Sequence, residues 1–206
     1  YKISPGLAVK IYNRFGGFSI EIIETEPYKL WEEIEEFPFQ SSDRIALENG
    51  ILPDSDIRIQ YFIKYILSHN LSNGHSFLPL EKLADITAEN IEISVEKATE
   101  MINYLIKSGK LFSTDFNGRI GVYLPAYYTA ERYVASKLIE ISRCVSSEVS
   151  DIDKHIDRLE NRLNIQYADN QRVAIKSAVE NKVMVLTGGP GTGKTTVARI
   201  LGEILK

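Results

Sequence analysis

The chain has 206 residues, 44% of them hydrophobic and 25% charged, with a formal net charge of −4. These proportions exclude a disordered, collagen-like or membrane-embedded chain, and the acidic balance excludes a protein held on nucleic acid by bulk charge alone. The single cysteine, Cys144, leaves no internal disulfide, and no apolar run approaches the roughly 20 residues of a membrane span, so a soluble cytoplasmic protein without membrane partners is expected.

At roughly 100 to 200 residues per domain, the length fits one or two domains or a row of small modules. Residues 1–56 carry 5 basic and 11 acidic side chains against 12 and 10 in residues 126–206, so the acid is concentrated at the N-terminal end, which favours separate modules. The chain opens at Tyr1 without Met and stops at Lys206 within a continuing pattern, so it reads as a piece of something longer.

In chain order, Pro5 to Phe15 predicts a short helix, with Leu7, Ile11 and Phe15 on one face and Gly16-Gly17 as the stop. Ile20 to Glu24 and Tyr28 to Ile34 predict two more short helices separated by Pro27. Ser41 to Asn49 predicts another, capped by Ser41 or Ser42 and ended by Gly50. The first module, residues 1–56, is therefore a cluster of short helices.

From residue 57 a helical stripe of Ile59, Phe62, Ile63, Ile66 and Leu67 precedes a loop with Asn73-Gly74, a helix over Leu80 to Ile86 and a longer one over Ser94 to Ser108, closed by Gly109. The buried face of the last is expected at Val95, Ala98, Ile102, Leu105 and Ile106. Two strand-like runs, Lys110 to Phe116 and Arg119 to Leu124, follow around Asn117-Gly118, a pair suited to a tight hairpin because both residues accept positive φ. Three helices and a hairpin over residues 57–125 make a winged-helix-like module. Its third helix presents Glu96, Lys97, Glu100, Asn103 and Lys107 outward, too acidic a face for reading a major groove.

Residues 126–165 read as a helical connector. Tyr128 to Val145 has Val134, Leu138, Ile141 and Val145 on one face, and the charge-alternating stretch Val149 to Leu163 reads as solvated. Residues 166–206 then give a helix over Asn170 to Glu180, an apolar run over Lys182 to Thr187 with the length and β-branching of a buried parallel strand, and a helix from Lys194 to Lys206 whose inner face is Val197, Ile200, Leu201, Ile204 and Leu205. His69, His75 and His155 have no metal-ligand spacing with each other or with Cys144.

The junction between that run and the last helix carries chemistry. Gly188-Gly189-Pro190-Gly191-Thr192-Gly193-Lys194-Thr195 matches G-x-x-x-x-G-K-[ST], the phosphate-binding P-loop. The glycines let successive N–H groups converge on phosphates, and the helix N-terminus adds unpaired donors and a positive dipole end. Lys194 is expected at the β- and γ-phosphates of ATP and Thr195 on Mg²⁺. Hydrolysis also needs an acid at the end of a second core strand and an arginine at the transition state. With one such strand recognised and no acid ending another, that half is expected beyond Lys206.

The run from Leu186 through Thr196 resembles the first motif of the RecD-like superfamily 1 DNA helicases, and Tyr167-Ala168-Asp169-Asn170-Gln171 sits where that family carries its Q motif. The resemblance implies an adenine-reading role for Gln171 and nucleotide contacts through Gly188, Gly189, Pro190, Gly191, Thr192, Gly193, Lys194, Thr195 and Thr196. Ile3 to Gly16 and Ile34 to Ala46 look like the helix-hairpin-helix repeats of the family's long form, and Ile57 to Pro125 resembles the segment that follows them, including Gly74-His75-Ser76-Phe77-Leu78-Pro79. The implied fold is mainly α N-terminal modules, helix-hairpin-helix and winged-helix-like, followed by the start of a P-loop α/β, RecA-like motor domain. The implied activity is ATP-driven 5′ to 3′ translocation on single-stranded DNA, or on a duplex with a single-stranded tail.

Helix-hairpin-helix modules usually grip phosphate through a glycine-bearing hairpin, whereas here the corresponding stretches read Lys2-Ile3-Ser4 and Glu36-Phe37-Pro38. Pro38 lacks an N–H and Glu36 repels phosphate, which favours scaffolding over direct DNA contact. The same feature, with the acidic N-terminal end, leaves an alternative open: a P-loop ATPase regulator whose helical modules bind protein.

Overall fold

A computed structural model of the chain describes residues 1–144 and 151–204. Val145, at the end of an expected helix, Val149, at the start of the stretch expected to be solvated, and Leu205, on the face of the last helix, lie outside the described residues. The chain divides into two compact units, Tyr1–Thr129 and Ala130–Lys206. No described helix is long and apolar enough to cross a membrane.

The first unit opens with α1 (Pro5–Phe15), capped by the Ser4 hydroxyl, which accepts the Leu7 N–H, with Pro5 preset for the first turn. Gly16 ends it at φ +57, and a 3₁₀ turn leads into α2 (Ser19–Thr25) and α3 (Tyr28–Glu33). The next helix, α4, spans Phe39–Glu48 and so begins two residues before the expected serine caps. The Pro38 carbonyl accepts the N–H groups of Ser41 and Ser42, so the cap is made by backbone and Ser42 is buried inside the helix. Ile11, Leu30, Ile34, Phe37 and Ile45 form the core of these four helices, with Ile3 and Leu7 packed against it.

A second cluster ties them to α5 (Asp56–Ser72). Tyr28 stacks on Tyr61 at 4.6 Å between centroids, and Phe39 on Tyr65 at 4.4 Å. Beside the rings, Arg58 donates to both oxygens of Asp43, at 2.9 and 3.0 Å, and the Tyr28 hydroxyl donates to Asp43 Oδ1 at 2.7 Å.

After α5 come β1 (Phe77–Pro79), α6 (Leu80–Ile91), α7 (Val95–Lys107), β2 (Phe112–Phe116) and β3 (Arg119–Tyr123). The strands form an antiparallel sheet in the order β1-β3-β2, with Leu78 and Ser113 both opposite Val122. β1 was not expected, because three residues ending in Pro79 are too short to show a period. The hairpin is as expected, with Asn117 at φ +55 and Gly118 at φ +87. The arrangement is winged-helix-like, around a core that includes Ile59, Ile63, Leu83, Ile102, Leu105 and Val122.

On α7 the buried face runs Ala98, Met101, Ile102 and Leu105, while Val95 is 43% exposed, contrary to expectation. Ser94 caps the helix by accepting the Lys97 N–H, so Val95 occupies the first turn, before the face reaches the core. The expected helix over Leu80 to Ile86 runs on to Ile91, ended by Glu92 in the left-handed conformation.

Gly121, in the middle of β3, lies beneath the stacked rings of Phe77 and Phe116, whose centroids are 5.1 Å apart. A Cβ there would stand 2.8 Å from each ring. Gly121→Ala is therefore expected to lower stability by about 1–3 kcal/mol, read as a lower urea midpoint, because two rings fixed against each other cannot both yield. An unchanged midpoint would show that the rings move aside.

α8 (Pro125–Ser142) starts three residues before the expected Tyr128. Its periodic face does not pack among the described residues: Val134, Leu138 and Ile141 are all exposed.

The second unit contains α9 (Ile152–Leu163), α10 (Asp169–Glu180) and α11 (Lys194–Ile204) around a core of Ile156, Tyr167, Ile175, Val197 and Ile200. The stretch holding α9 was expected to be solvated, but Ile152, Ile156 and Leu159 recur on one face and pack into this core. The apolar run Lys182 to Thr187 does not form the expected strand, and Val185 is 83% exposed. A strand is completed by neighbours that pair its N–H and C=O groups, and none of the described residues offers one.

Candidate nucleotide-binding site

The glycine-rich loop runs from Gly188 into the first turn of α11, which is fixed from beneath by Val197 and Ile200. Val197 N–H bonds to the Gly193 carbonyl, so the helix starts at the residue the motif requires. Gly191 at φ +77 and Gly193 at φ +85 lie in the left-handed region, the conformation by which anion-binding turns direct successive N–H groups to one side. At Gly193 space is decisive as well, since a Cβ would run into the Gln171 amide.

Lys194 folds back over the loop, its Nζ donating to the carbonyls of Gly188 and Gly189, both at 2.6 Å. The Thr192 hydroxyl donates to the Gly189 carbonyl at 2.9 Å. Pro190 is exposed at the loop's crest, and Thr195 and Thr196 are exposed on the first turn of α11. The donor set of backbone N–H groups at a helix N-terminus, one ammonium and an adjacent hydroxyl suits a polyphosphate bearing Mg²⁺.

Gln171, in the first turn of α10, is drawn to the same place. Its Oε1 accepts the Ala168 N–H at 3.1 Å and its Nε2 lies 3.5 Å from the Thr192 carbonyl. A primary amide has two donor hydrogens and two acceptor lone pairs, so each end keeps capacity for a further partner. All the residues singled out in the sequence thus fall on one loop, one helix turn and one facing glutamine.

Sequence reasoning missed the support behind Gln171. Glu160 Oε1 accepts the Tyr167 N–H at 2.8 Å and its Oε2 accepts from Arg172 at 2.7 Å, while Arg172 also donates to Asp157 at 2.6 Å. Asp153 is bound by Lys176 at 2.7 Å, which holds its carboxyl below the ordinary range. The signal was available: Asp153, Asp157 and Glu160 are spaced by four and three, one acidic helix face opposite Arg172 and Lys176.

Of the two stretches that correspond to the family's hairpins, the one at Glu36 joins two helices, α3 and α4, while the one at Lys2 precedes α1. Lys2 at φ +49 and Glu36 at φ +70 take the left-handed conformation that glycine usually supplies. Phe37 is buried, and the Glu36 carboxylate is bound by Lys10 of α1, which lowers its pKa. On the outward face of α7, Lys97 is engaged by the Asp54 carbonyl at 2.7 Å.

Comparison with known proteins defines the class first. Residues 1–77 match the family described as the ATP-dependent RecD2 DNA helicase HHH domain, and residues 171–206 match an AAA domain, a match that begins at Gln171. The chain thus carries a helix-hairpin-helix stretch over residues 1–77 and an AAA, P-loop stretch over residues 171–206, and the first match runs through α5, past residue 56. More particularly, it is related to the RecD-like DNA helicases. It is 24% identical to the ATP-dependent RecD2 DNA helicase of Deinococcus radiodurans over 96% of this chain and 28% of that protein. It is also 24% identical to the RecBCD enzyme subunit RecD of Buchnera aphidicola subsp. Schizaphis graminum, over 77% of this chain and 27% of that one. The chain spans less than a third of the length of either relative.

Proposed function

We propose that this chain is the N-terminal and nucleotide-capturing part of an ATP-dependent DNA helicase that moves 5′ to 3′ along single-stranded DNA in the cytoplasm. The observation that carries the reading is the P-loop at the start of α11, with Lys194 and Gln171 converging on it, in a chain that opens with a RecD2-type helix-hairpin-helix domain.

In this reading the N–H groups from Gly189 to Thr196 and the dipole of α11 hold the phosphates. Lys194 exchanges the Gly188 and Gly189 carbonyls for the β- and γ-phosphate oxygens, a move that needs only side-chain rotation. Thr195 holds Mg²⁺, which offsets charge developing on the transferring phosphoryl group. Gln171 reads the adenine edge with the donor and acceptor positions left on its amide. The first module serves as scaffold, its Glu36 hairpin being bound to Lys10 rather than open to phosphate.

That same closed hairpin favours a second reading, a P-loop ATPase regulator whose helical modules bind protein. Strand displacement by the full-length protein separates the two. A duplex with a 5′ single-stranded tail should be unwound with ATP and one with a 3′ tail should not. Unwinding only from the 3′ tail would contradict the polarity, and unwinding of neither would favour the regulator.

A further inference from the structure

The Glu160 carboxylate grips the segment that presents Gln171 from both sides. One oxygen accepts the N–H of Tyr167, just before the start of α10, and the other accepts from Arg172, in its first turn. The Glu160 backbone carbonyl also accepts the Ile165 N–H at 3.1 Å, so the turn between α9 and α10 is fixed by the same residue. The carboxylate side chain is only 15% exposed and Arg172 25%, which limits competition from water. Charge-assisted bonds of this kind are among the stronger ones available to a side chain. Tyr167 and Ile156, both buried, pack beneath the segment.

An amide that reads a base edge must be held to within about half an ångström and 10–20°. The Gln171 Oε1 accepts the Ala168 N–H, the Gln171 N–H donates to the Ala168 carbonyl at 2.8 Å and the amide makes one long approach to Thr192, so these bonds tie Gln171 to its own helix turn and leave the placing of that turn to its other contacts. We propose that Glu160 is a positioning residue for base recognition: by holding Tyr167 N–H and Arg172 together it sets where the Gln171 amide stands, and so sets the preference for adenine over other purines. The proposal rests on the adenine-reading role of Gln171 proposed above. Glu160 touches neither phosphate nor base in it, so its effect falls on selectivity and not on the chemical step.

The test is steady-state hydrolysis of ATP and of inosine triphosphate by the full-length protein. Inosine carries a carbonyl where adenine carries the amino group, so the donor that the amide oxygen of Gln171 would accept is replaced by an acceptor. Glu160→Ala is expected to raise KM for ATP by about fivefold to tenfold with kcat unchanged and KM for inosine triphosphate unmoved. Glu160→Gln keeps an acceptor for the Tyr167 N–H and should retain most of the selectivity. Arg172→Ala, which breaks the same hold from α10, should reproduce the loss even if Glu160→Ala proves unstable. On a Gln171→Ala background Glu160→Ala should add nothing.

Equal rises in KM for both nucleotides, or a fall in kcat alone, would overturn the positioning role while leaving the reading of Gln171 intact. An ATP preference that survives Gln171→Ala would instead overturn the adenine-reading role and the positioning proposal with it.

Discussion

Lys194→Ala in the full-length protein is expected to lower ATP turnover by about two to three orders of magnitude, the usual effect of deleting one preorganised charge from a site where negative charge develops. Its thermal midpoint should barely move. Among the described residues the Lys194 ammonium bonds to the Gly188 and Gly189 carbonyls, and the helix it begins is held by Val197 and Ile200. Alanine is at least as good a helix former, and two bonds to exposed loop carbonyls are readily replaced by water. Turnover above a tenth of the parent value would contradict the phosphate-binding assignment. A matching collapse in stability would mean that the lysine holds the loop together and does not serve the nucleotide.

The second large effect falls on folding. Asp43 accepts both Arg58 bonds and the Tyr28 hydroxyl, and the Asp43 and Arg58 side chains are only 15% and 14% exposed. Burial first, and the Asp43 carboxylate second, push the Tyr28 hydroxyl well above its ordinary pKa, so it stays a donor at every relevant pH. Asp43→Ala strips one acceptor from two donors at once and leaves a guanidinium half-buried without its counter-charge. The expected cost is about 2–4 kcal/mol, seen as a lower urea midpoint. Asp43→Asn, which keeps an acceptor for Tyr28 but loses the charge, should fall between. A loss below about 1 kcal/mol for Asp43→Ala would mean that the pair behaves as an ordinary surface ion pair.

Much of this was legible in the sequence, and the reasons differ from element to element. The P-loop residues are consecutive, so their spacing states the geometry directly, and Gly191 and Gly193 take the positive φ that a phosphate-binding turn demands. The hairpin was legible because Asn117-Gly118 has one favourable backbone solution. Helix ends were less so. At α4 the two serines advertised a cap that the Pro38 carbonyl supplies instead.

What the sequence obscured depends on partners distant along the chain. β1 has no period of its own and exists because Phe77 to Pro79 pairs with Gly121 to Tyr123. α9 looked solvated because charges dominate its composition, although Ile152, Ile156 and Leu159 lie on one face. The run Lys182 to Thr187 carries the signature of a buried strand without a pairing neighbour among the described residues, and periodicity reports what a segment is suited to, not whether its partner is at hand. The acidic face of α9 was legible from the spacing of Asp153, Asp157 and Glu160, but its pairing with Arg172, twelve residues beyond Glu160 on α10, is set by the fold.

The measurement that bears most directly on the central claim is the steady-state ATPase rate of the full-length protein with and without single-stranded DNA, parent beside Lys194→Ala. A DNA-dependent motor predicts a large stimulation by DNA that disappears in the variant. Lysine-dependent turnover at the same rate with and without DNA would contradict the helicase and turn attention to a protein partner for the acidic N-terminal helices.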